Sequence, residues 1–199
     1  KIRKKQKKIV FIISMILIFL FTGIALANDL QHLFQQVEQL KIQRQGYVLG
    51  AILNPEQIKT AASNRVDESS NWTYKFRDKN LFVVADKTSN RVLIIYEQFK
   101  DLKQKNIQDL IGDLYMSFDE PTVLAHDKRV YWAYTKKGKI TSKEFDAVKQ
   151  DKKNLDILAK IKFISDINIM EKTKGDTTGQ VSYIISSDPI LNFFKNQKL

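Results

Sequence analysis

The sequence contains no cysteine, and its 199 residues include only three prolines, seven glycines and two histidines. Without cysteine the chain cannot form disulfide bonds, thiolate metal sites or a thiol nucleophile, and it has no residue for the lipid anchor of a lipoprotein. The low content of glycine and proline argues against long disordered linkers. The stability of this protein must therefore come from an ordinary hydrophobic core.

The positive charge of the chain is concentrated at its start. Six of the 33 basic residues lie in residues 1–8, which leaves 27 basic and 22 acidic residues, a net charge of +5, in residues 28–199. A charge of this size suits solubility and weak attraction to anionic surfaces. It does not approach the dense basic face of a nucleic-acid-binding protein, so we expect no specific nucleic-acid partner.

The first 27 residues have the layout of a secretory signal. The basic run KIRKKQKK is followed by Ile9–Ala27, which carries no charge and ends in Ala25-Leu26-Ala27. A basic region, an apolar region and a small-residue cleavage site occur in this order in signal peptides.

The same segment is also long enough to remain as a membrane anchor. Its 19 uncharged residues would reach about 28 Å as a helix, close to the roughly 30 Å hydrocarbon core of a bilayer. Both outcomes export residues 28–199. Cleavage after Ala27 predicts a periplasmic protein, whereas retention predicts an inner-membrane anchor with its basic flank in the cytoplasm.

The rest of the chain predicts an α+β fold, an antiparallel sheet or sheets with short packed helices, preceded by the N-terminal apolar helix. Residues 28–46 form an amphipathic helix or stalk, since Leu30, Leu33, Phe34, Val37 and Leu40 recur at helical spacing. The helix either packs on its own domain or acts as a spacer outside the membrane. Residues 47–100 and 101–199 then form two similar helix–sheet modules.

The first module begins with a helix and continues as a meander. Asn54-Pro55 opens a helix that reaches about Ser63, with Asn54 as the cap and Gln57 completing a capping box. Three runs rich in β-branched and aromatic residues follow, separated by short polar turns. They predict antiparallel strands over 72–76, 81–85 and 91–96.

The second module repeats the order of a helix followed by strands. An apolar stripe predicts a helix over 106–116, and a capping box at Thr141 and Glu144 opens another helix that reaches about Leu158. The remaining elements are a strand over 130–134, a strand over 180–186 and a short helix after Asp188. Residues 161–170 fit either a strand or a continued helix, and their alternation favours a strand from about Lys160.

Each of the two tryptophans precedes a tyrosine by two residues. Trp72 and Tyr74 lie on the predicted first strand of one module, and Trp132 and Tyr134 on that of the other. Residues i and i+2 of a strand share a face, so each pair is expected to present two rings to one side. These four residues are the candidate binding residues of the sequence.

These features resemble the SmpA/OmlA outer-membrane assembly lipoproteins and the β-lactamase-inhibitor-protein-like fold. The likeness rests on Asn71–Arg77 (NWTYKFR) as the strand with the W-x-Y signature, and on Asp119-Glu120-Pro121 followed by Trp132-Ala133-Tyr134. The lipid-bearing cysteine of that lipoprotein group is absent. The resemblance implies a tandem binding module of the cell envelope and no enzymatic activity.

The residues that carry catalysis or metals are sparse. His126 beside Asp127 could be combined with a serine into a hydrolase site, but no G-x-S-x-G elbow or H-E-x-x-H spacing occurs, and His32 lies on the predicted N-terminal helix. We therefore expect no cofactor and no metal. Lysine clusters at 136–139, 149–153 and 172–174 are solvated faces or contacts with anionic lipid or peptidoglycan.

The sequence favours an exported cell-envelope protein that binds another exported or membrane protein without catalysis, as an adaptor, assembly factor or inhibitor. The alternative is a single-pass, membrane-anchored accessory subunit of an inner-membrane complex. A small hydrolase that uses His126 is a remote third hypothesis.

Overall fold

The computed structural model describes residues 29–67, 70–151, 154–171 and 177–196. The predicted signal or anchor, Lys1–Ala27, and the lysines at 152–153 and 172–174 lie outside these ranges. Within them, no helix has the length and apolar character needed to cross a membrane.

A single antiparallel sheet forms the body of the protein, in agreement with the predicted α+β class. Its strand order is β3-β4-β5-β6-β11-β10-β8-β7, and β9 pairs with β8 at one side. The strands are β3 (Arg65–Asp67), β4 (Thr73–Asp78), β5 (Leu81–Asp86), β6 (Val92–Lys103), β7 (Val123–Ala125), β8 (Arg129–Thr135), β9 (Gly138–Lys139), β10 (Ala159–Ser165) and β11 (Thr178–Ser186).

Five helices and one small hairpin complete the described fold. The helices are α1 (29–39), α2 (Pro55–Ser63), α3 (Gln104–Phe118), α4 (Ser142–Gln150) and α5 (Asp188–Asn196). The hairpin joins β1 (Gln43–Arg44) to β2 (Tyr47–Val48) and lies outside the large sheet. Capping boxes at Asn54 and Thr141 start α2 and α4, as the sequence predicts.

The sheet has the same arrangement of strands on each side of its central pair, β6 and β11. From β6 it runs through β5, β4 and β3, which follow α2 along the chain, and from β11 it runs through β10, β8 and β7, which follow α3. The expected boundary between residues 100 and 101 falls inside β6. β6 and β11 pair over most of their length, so one sheet joins the two segments.

One row of paired residues crosses the whole buried face of the sheet. All six members have no solvent exposure, and they run, in spatial order, Phe76, Val83, Ile95, Ile185, Ile161 and Trp132. Directly opposite residues are the closest side-chain neighbours in an antiparallel sheet, so this row is a continuous apolar band. Apolar residues of α1, α2 and α3 belong to the same core.

The helix predicted over residues 28–44 is shorter than expected. Helical hydrogen bonding stops at residue 39, because Lys41 has a φ of 53° and its N–H donates to the oxygen of Glu38. The chain then turns at Gln45 and Gly46, which both have positive φ, as the tightest hairpins require. Phe34 and Val37 are buried, so α1 packs on the domain.

Other differences concern the ends of elements. α4 ends at Gln150, well before Leu158, and β6 extends to Lys103, beyond the predicted end at Tyr96. β6 is long because β11 pairs with it as far as Lys103, whereas β5 pairs with it only as far as Glu97. The three-residue edge strands β3 and β7 were not predicted, since so short a run carries no periodicity.

Candidate functional site

The four residues of the two Trp-x-Tyr pairs do not form one surface. Trp72 is 43% exposed, whereas Tyr74, Trp132 and Tyr134 are 4%, 0% and 9% exposed. Trp72 lies one residue before β4, which begins at Thr73, and its backbone oxygen accepts a hydrogen bond from the Lys87 N–H at 2.9 Å, so the strand pairing continues to it. Trp72 lies at the exposed end of this pairing and Tyr74 in its buried part, so the two rings differ in exposure, and their presentation to one side stays a prediction.

Tyr74 and Trp132 use their polar atoms inside the fold. The Tyr74 hydroxyl donates to Asn90 Oδ1 at 2.8 Å. Trp132 Nε1 donates to the backbone oxygen of Asp119 at 2.7 Å, and its ring packs on those of Tyr115 and Phe118. Buried aromatic residues with satisfied polar groups are typical of a core, so neither residue offers a surface to a partner.

Tyr134 is different because it lies on the wall of an open cleft. Two neighbouring openings, of about 520 and 580 Å³, share Leu40 and Tyr134 in their walls. We call the two together the Tyr134 cleft. Its walls come from the end of α1, the β1–β2 hairpin, the end of α3 and the β8–β9 turn: Gln36, Gln39, Leu40–Gly46, Ser117, Phe118, Tyr134 and Lys136–Lys139.

The cleft is rich in positive charge. Lys139 is held in place, since its Nζ donates to the backbone oxygens of Phe118 and Glu120 and lies 3.5 Å from Asp119 Oδ2. Lys41, Lys136 and Lys137 are exposed. In the described ranges, none of these three lysines has a carboxylate within salt-bridge distance. The cleft therefore carries three unneutralised cations.

A buried ion pair fixes the β1–β2 hairpin beside the cleft. Glu97, on β6, is 2% exposed, and its Oε2 accepts hydrogen bonds from Arg44 Nε at 3.3 Å and Arg44 Nη2 at 3.2 Å. Its Oε1 accepts from Gln45 Nε2 at 3.0 Å. A buried carboxylate is costly unless it is paired and hydrogen-bonded, so Glu97 ties the hairpin to the middle of the sheet.

Tyr183 lies beneath this ion pair. The Arg44 guanidinium carbon is 5.6 Å from the centre of the Tyr183 ring, within the range of a cation–π contact. The Tyr183 hydroxyl is buried, and it has no hydrogen-bond partner among the described residues. Burial raises the pKa of Tyr183 well above its usual value. The positive charge of Arg44 lowers this pKa, and the negative charge of Glu97 raises it further.

The free edge of β1 borders the cleft. Leu49 N–H donates to the oxygen of Ile42, while Gln43 pairs with Val48 and Arg44 with Tyr47. In an antiparallel ladder, hydrogen-bonded pairs alternate with non-bonded pairs. Gln43 therefore points its backbone N–H and C=O away from β2. Residues 40–46 line the cleft and residues 47–49 do not, so this edge faces the cleft.

Two hydroxyl groups, those of Ser117 and Tyr134, belong to the described walls of the cleft. The Ser117 hydroxyl donates to the oxygen of Asp113, one turn back in α3. Burial, with a smaller contribution from Asp119, raises the pKa of Tyr134 to about 12, so the phenol is protonated at neutral pH. The side chains of the cleft are thus suited to bind charge and hydrogen-bonding groups.

The histidines lie elsewhere. His126 is exposed on the turn before β8, and His32 is exposed on α1. The Asp127 carboxylate accepts hydrogen bonds from the backbone N–H groups of Met170 and Glu171, at 2.9–3.0 Å, and so anchors a loop. Across the described ranges, no three residues of the types His, Cys, Asp and Glu come together as a metal site.

The sequence contains one signal for the site that was missed. Glu97 follows Leu93 and Ile95 at the period of a strand, which places an acid on the buried face of β6. A buried acid needs a cationic partner, yet no local pattern identifies Arg44, 53 residues away, as that partner.

Comparison of the chain with protein-family models, with curated proteins and with solved structures finds no match.

Proposed function

We propose that this chain is an exported cell-envelope protein that binds another exported or membrane protein without catalysing a reaction. The Tyr134 cleft is the observation that carries the proposal. It is open, its walls are held by the Arg44–Glu97 ion pair and by Lys139, and it presents three cations without carboxylate partners. A concave, largely preformed site is typical of ligand binding, and the placed polar groups of such a site give it specificity.

Export is the second part of the proposal, and it rests on the sequence of Lys1–Ala27. A protein cleaved after Ala27 acts in the periplasm, as an adaptor, assembly factor or inhibitor. An uncleaved protein is an inner-membrane accessory subunit. Because Phe34 and Val37 of α1 are buried in the core, an anchored form would hold the sheet close to the bilayer.

The tandem arrangement of the SmpA/OmlA and β-lactamase-inhibitor-protein-like modules belongs to the same proposal. Support comes from the strand order, which is the same outward from β6 and from β11. In this arrangement Phe76 corresponds to Trp132, since these two residues are the two end members of the apolar row: Phe76 pairs with Val83 and Trp132 pairs with Ile161. The repeat therefore relates Phe76 to Trp132, and the two Trp-x-Tyr pairs are not equivalent.

Site-specific photo-crosslinking in the native host tests the binding function. A photoreactive amino acid would replace Lys137 in the cleft and, as a control, the exposed Lys87 at the β5–β6 turn. We expect an adduct with an exported or membrane protein from position 137 and none from position 87. A folded chain that gives no adduct at position 137, or adducts with cytoplasmic proteins alone, would refute the proposal.

The intact mass of the tagged protein separates the two forms. A mass that begins at Asn28, recovered without detergent, supports the periplasmic form. A mass that includes Lys1–Ala27, recovered with membrane proteins in a fixed ratio, supports the accessory subunit.

A further inference from the structure

We propose that the Tyr134 cleft takes an extended, acidic segment of the partner protein, with the backbone of that segment paired to the free edge of β1 and its carboxylates beside the three cleft lysines. This inference rests on the proposed function and names the chemistry that the cleft recognises.

The backbone of β1 favours a peptide in extended conformation. Gln43 offers one N–H and one C=O toward the cleft, from a strand that has a partner on its other edge only. Addition of a strand to such an edge is a common way to bind peptides, because backbone hydrogen bonds supply affinity. The Arg44–Glu97 pair and the Tyr47 hydroxyl, which donates to Asp78 Oδ2, hold the hairpin in position.

The charges of the cleft favour acidic side chains. Lys41 lines the opening beside β1, and Lys136 and Lys137, on the β8–β9 turn, line the neighbouring opening, which shares Leu40 and Tyr134 with the first. The carboxylates nearby are already engaged: Glu97 binds Arg44, and Asp119 lies beside Lys139. Electrostatic complementarity of this kind sets specificity and accelerates association.

Other anionic ligands fit the cleft less well. Sugars are commonly held against an exposed aromatic face, but Tyr134 and Phe118, the aromatic residues of the cleft, are both nearly enclosed. A lipid headgroup or a polyphosphate would use the lysines alone and would leave the β1 edge without a role. The backbone edge is what selects a polypeptide.

The direct test measures binding of a short fluorescent peptide of alternating glutamate and threonine to the full chain in mild detergent. Fluorescence anisotropy at low and high salt gives the dissociation constant. The variant K41Q/K136Q/K137Q removes the cleft charges, and K59Q/K87Q/K100Q removes the same charge from exposed positions outside the cleft. We expect the first variant to weaken binding about tenfold and the second less than about twofold.

A backbone-methylated version of the same peptide tests the strand pairing. N-methylation keeps the carboxylates but removes the N–H donors, so we expect it to abolish most of the binding. Equal loss of affinity in both lysine variants would overturn the assignment of the cleft. Undiminished binding of the methylated peptide, or preference for polyphosphate or for anionic lipid vesicles over the peptide, would overturn the assignment of a peptide strand.

These outcomes are separable from the failure of the proposed function. If crosslinking at position 137 captures an exported protein and the acidic peptide does not bind, the binding function stands and the acidic strand is wrong. If crosslinking captures nothing and the peptide binds in the manner described, the cleft chemistry stands and the native partner assignment is wrong.

Discussion

Loss of Arg44 should destabilise this protein more than loss of any exposed cation. Arg44→Met would leave the Glu97 carboxylate, 2% exposed, without its charged partner, and would remove two of its three hydrogen bonds. Removing one member of a buried pair costs about 3–5 kcal/mol. Because the Arg44 side chain is 21% exposed, water can reach part of the site, and we expect about 3 kcal/mol.

Urea denaturation followed by circular dichroism measures this loss. Arg129→Met is the matched control, because Arg129 is exposed on β8, and we expect a change within about 0.5 kcal/mol. The double variant Arg44→Met/Glu97→Leu removes both charges and should recover most of the stability. The reasoning is refuted if Arg44→Met unfolds at the same urea concentration as Arg129→Met.

Three further predictions concern the core, a close approach and a phenol. Trp132→Ala should lose about 3–5 kcal/mol of unfolding free energy, and Trp72→Ala less than about 1 kcal/mol, in urea denaturation; equal losses would contradict the burial of these residues. Gly50→Ala should destabilise by more than about 1 kcal/mol, because φ is +82° and a Cβ would lie 3.1 Å from two backbone atoms of α1. Gly112→Ala, on the open face of α3, should raise the free energy of unfolding by about 0.5–1 kcal/mol. A change of the same sign in both glycine variants would contradict this reasoning. Burial raises the pKa of Tyr134 to about 12, so the unfolded phenol ionises first and the free energy of unfolding should fall as pH rises from about 10 through 12. In urea denaturation across this range, Tyr134→Phe should reduce that loss, and an unchanged loss would refute the prediction.

Elements with local signals could be predicted from the sequence. The capping boxes at Asn54 and Thr141 mark the starts of α2 and α4, because the side chain and the backbone group that it caps are only three residues apart. The meander of β4, β5 and β6 was predicted from its polar turns and its β-branched runs. The end of α1 was misplaced, since the apolar stripe stops at Leu40 and the positions that would continue it at helical spacing, Lys41 and Arg44, are charged.

The candidate site could be predicted only in part. Tyr134 was named from the Trp-x-Tyr pattern, and the lysines of 136–139 were noted as a cluster. The other three candidate binding residues, Trp72, Tyr74 and Trp132, differ from Tyr134 in exposure and surroundings. The periodicity of a strand predicts which residues share a face of the sheet, but it does not predict whether other elements cover that face. Lys41 and Gln43 were read as part of a helix, so their role beside the cleft was missed.

The sequence by itself determined the α+β class, the order of the main helices and strands, and the charge balance of the chain, because each of these depends on composition or on contacts within a few residues. The tertiary structure decided that β6 pairs with β11 and that Arg44 reaches Glu97. It also brought the β1 edge opposite Tyr134. These contacts join residues that are far apart along the chain, and many strand pairings satisfy the same local pattern. Only the packing of the complete core selects one of them.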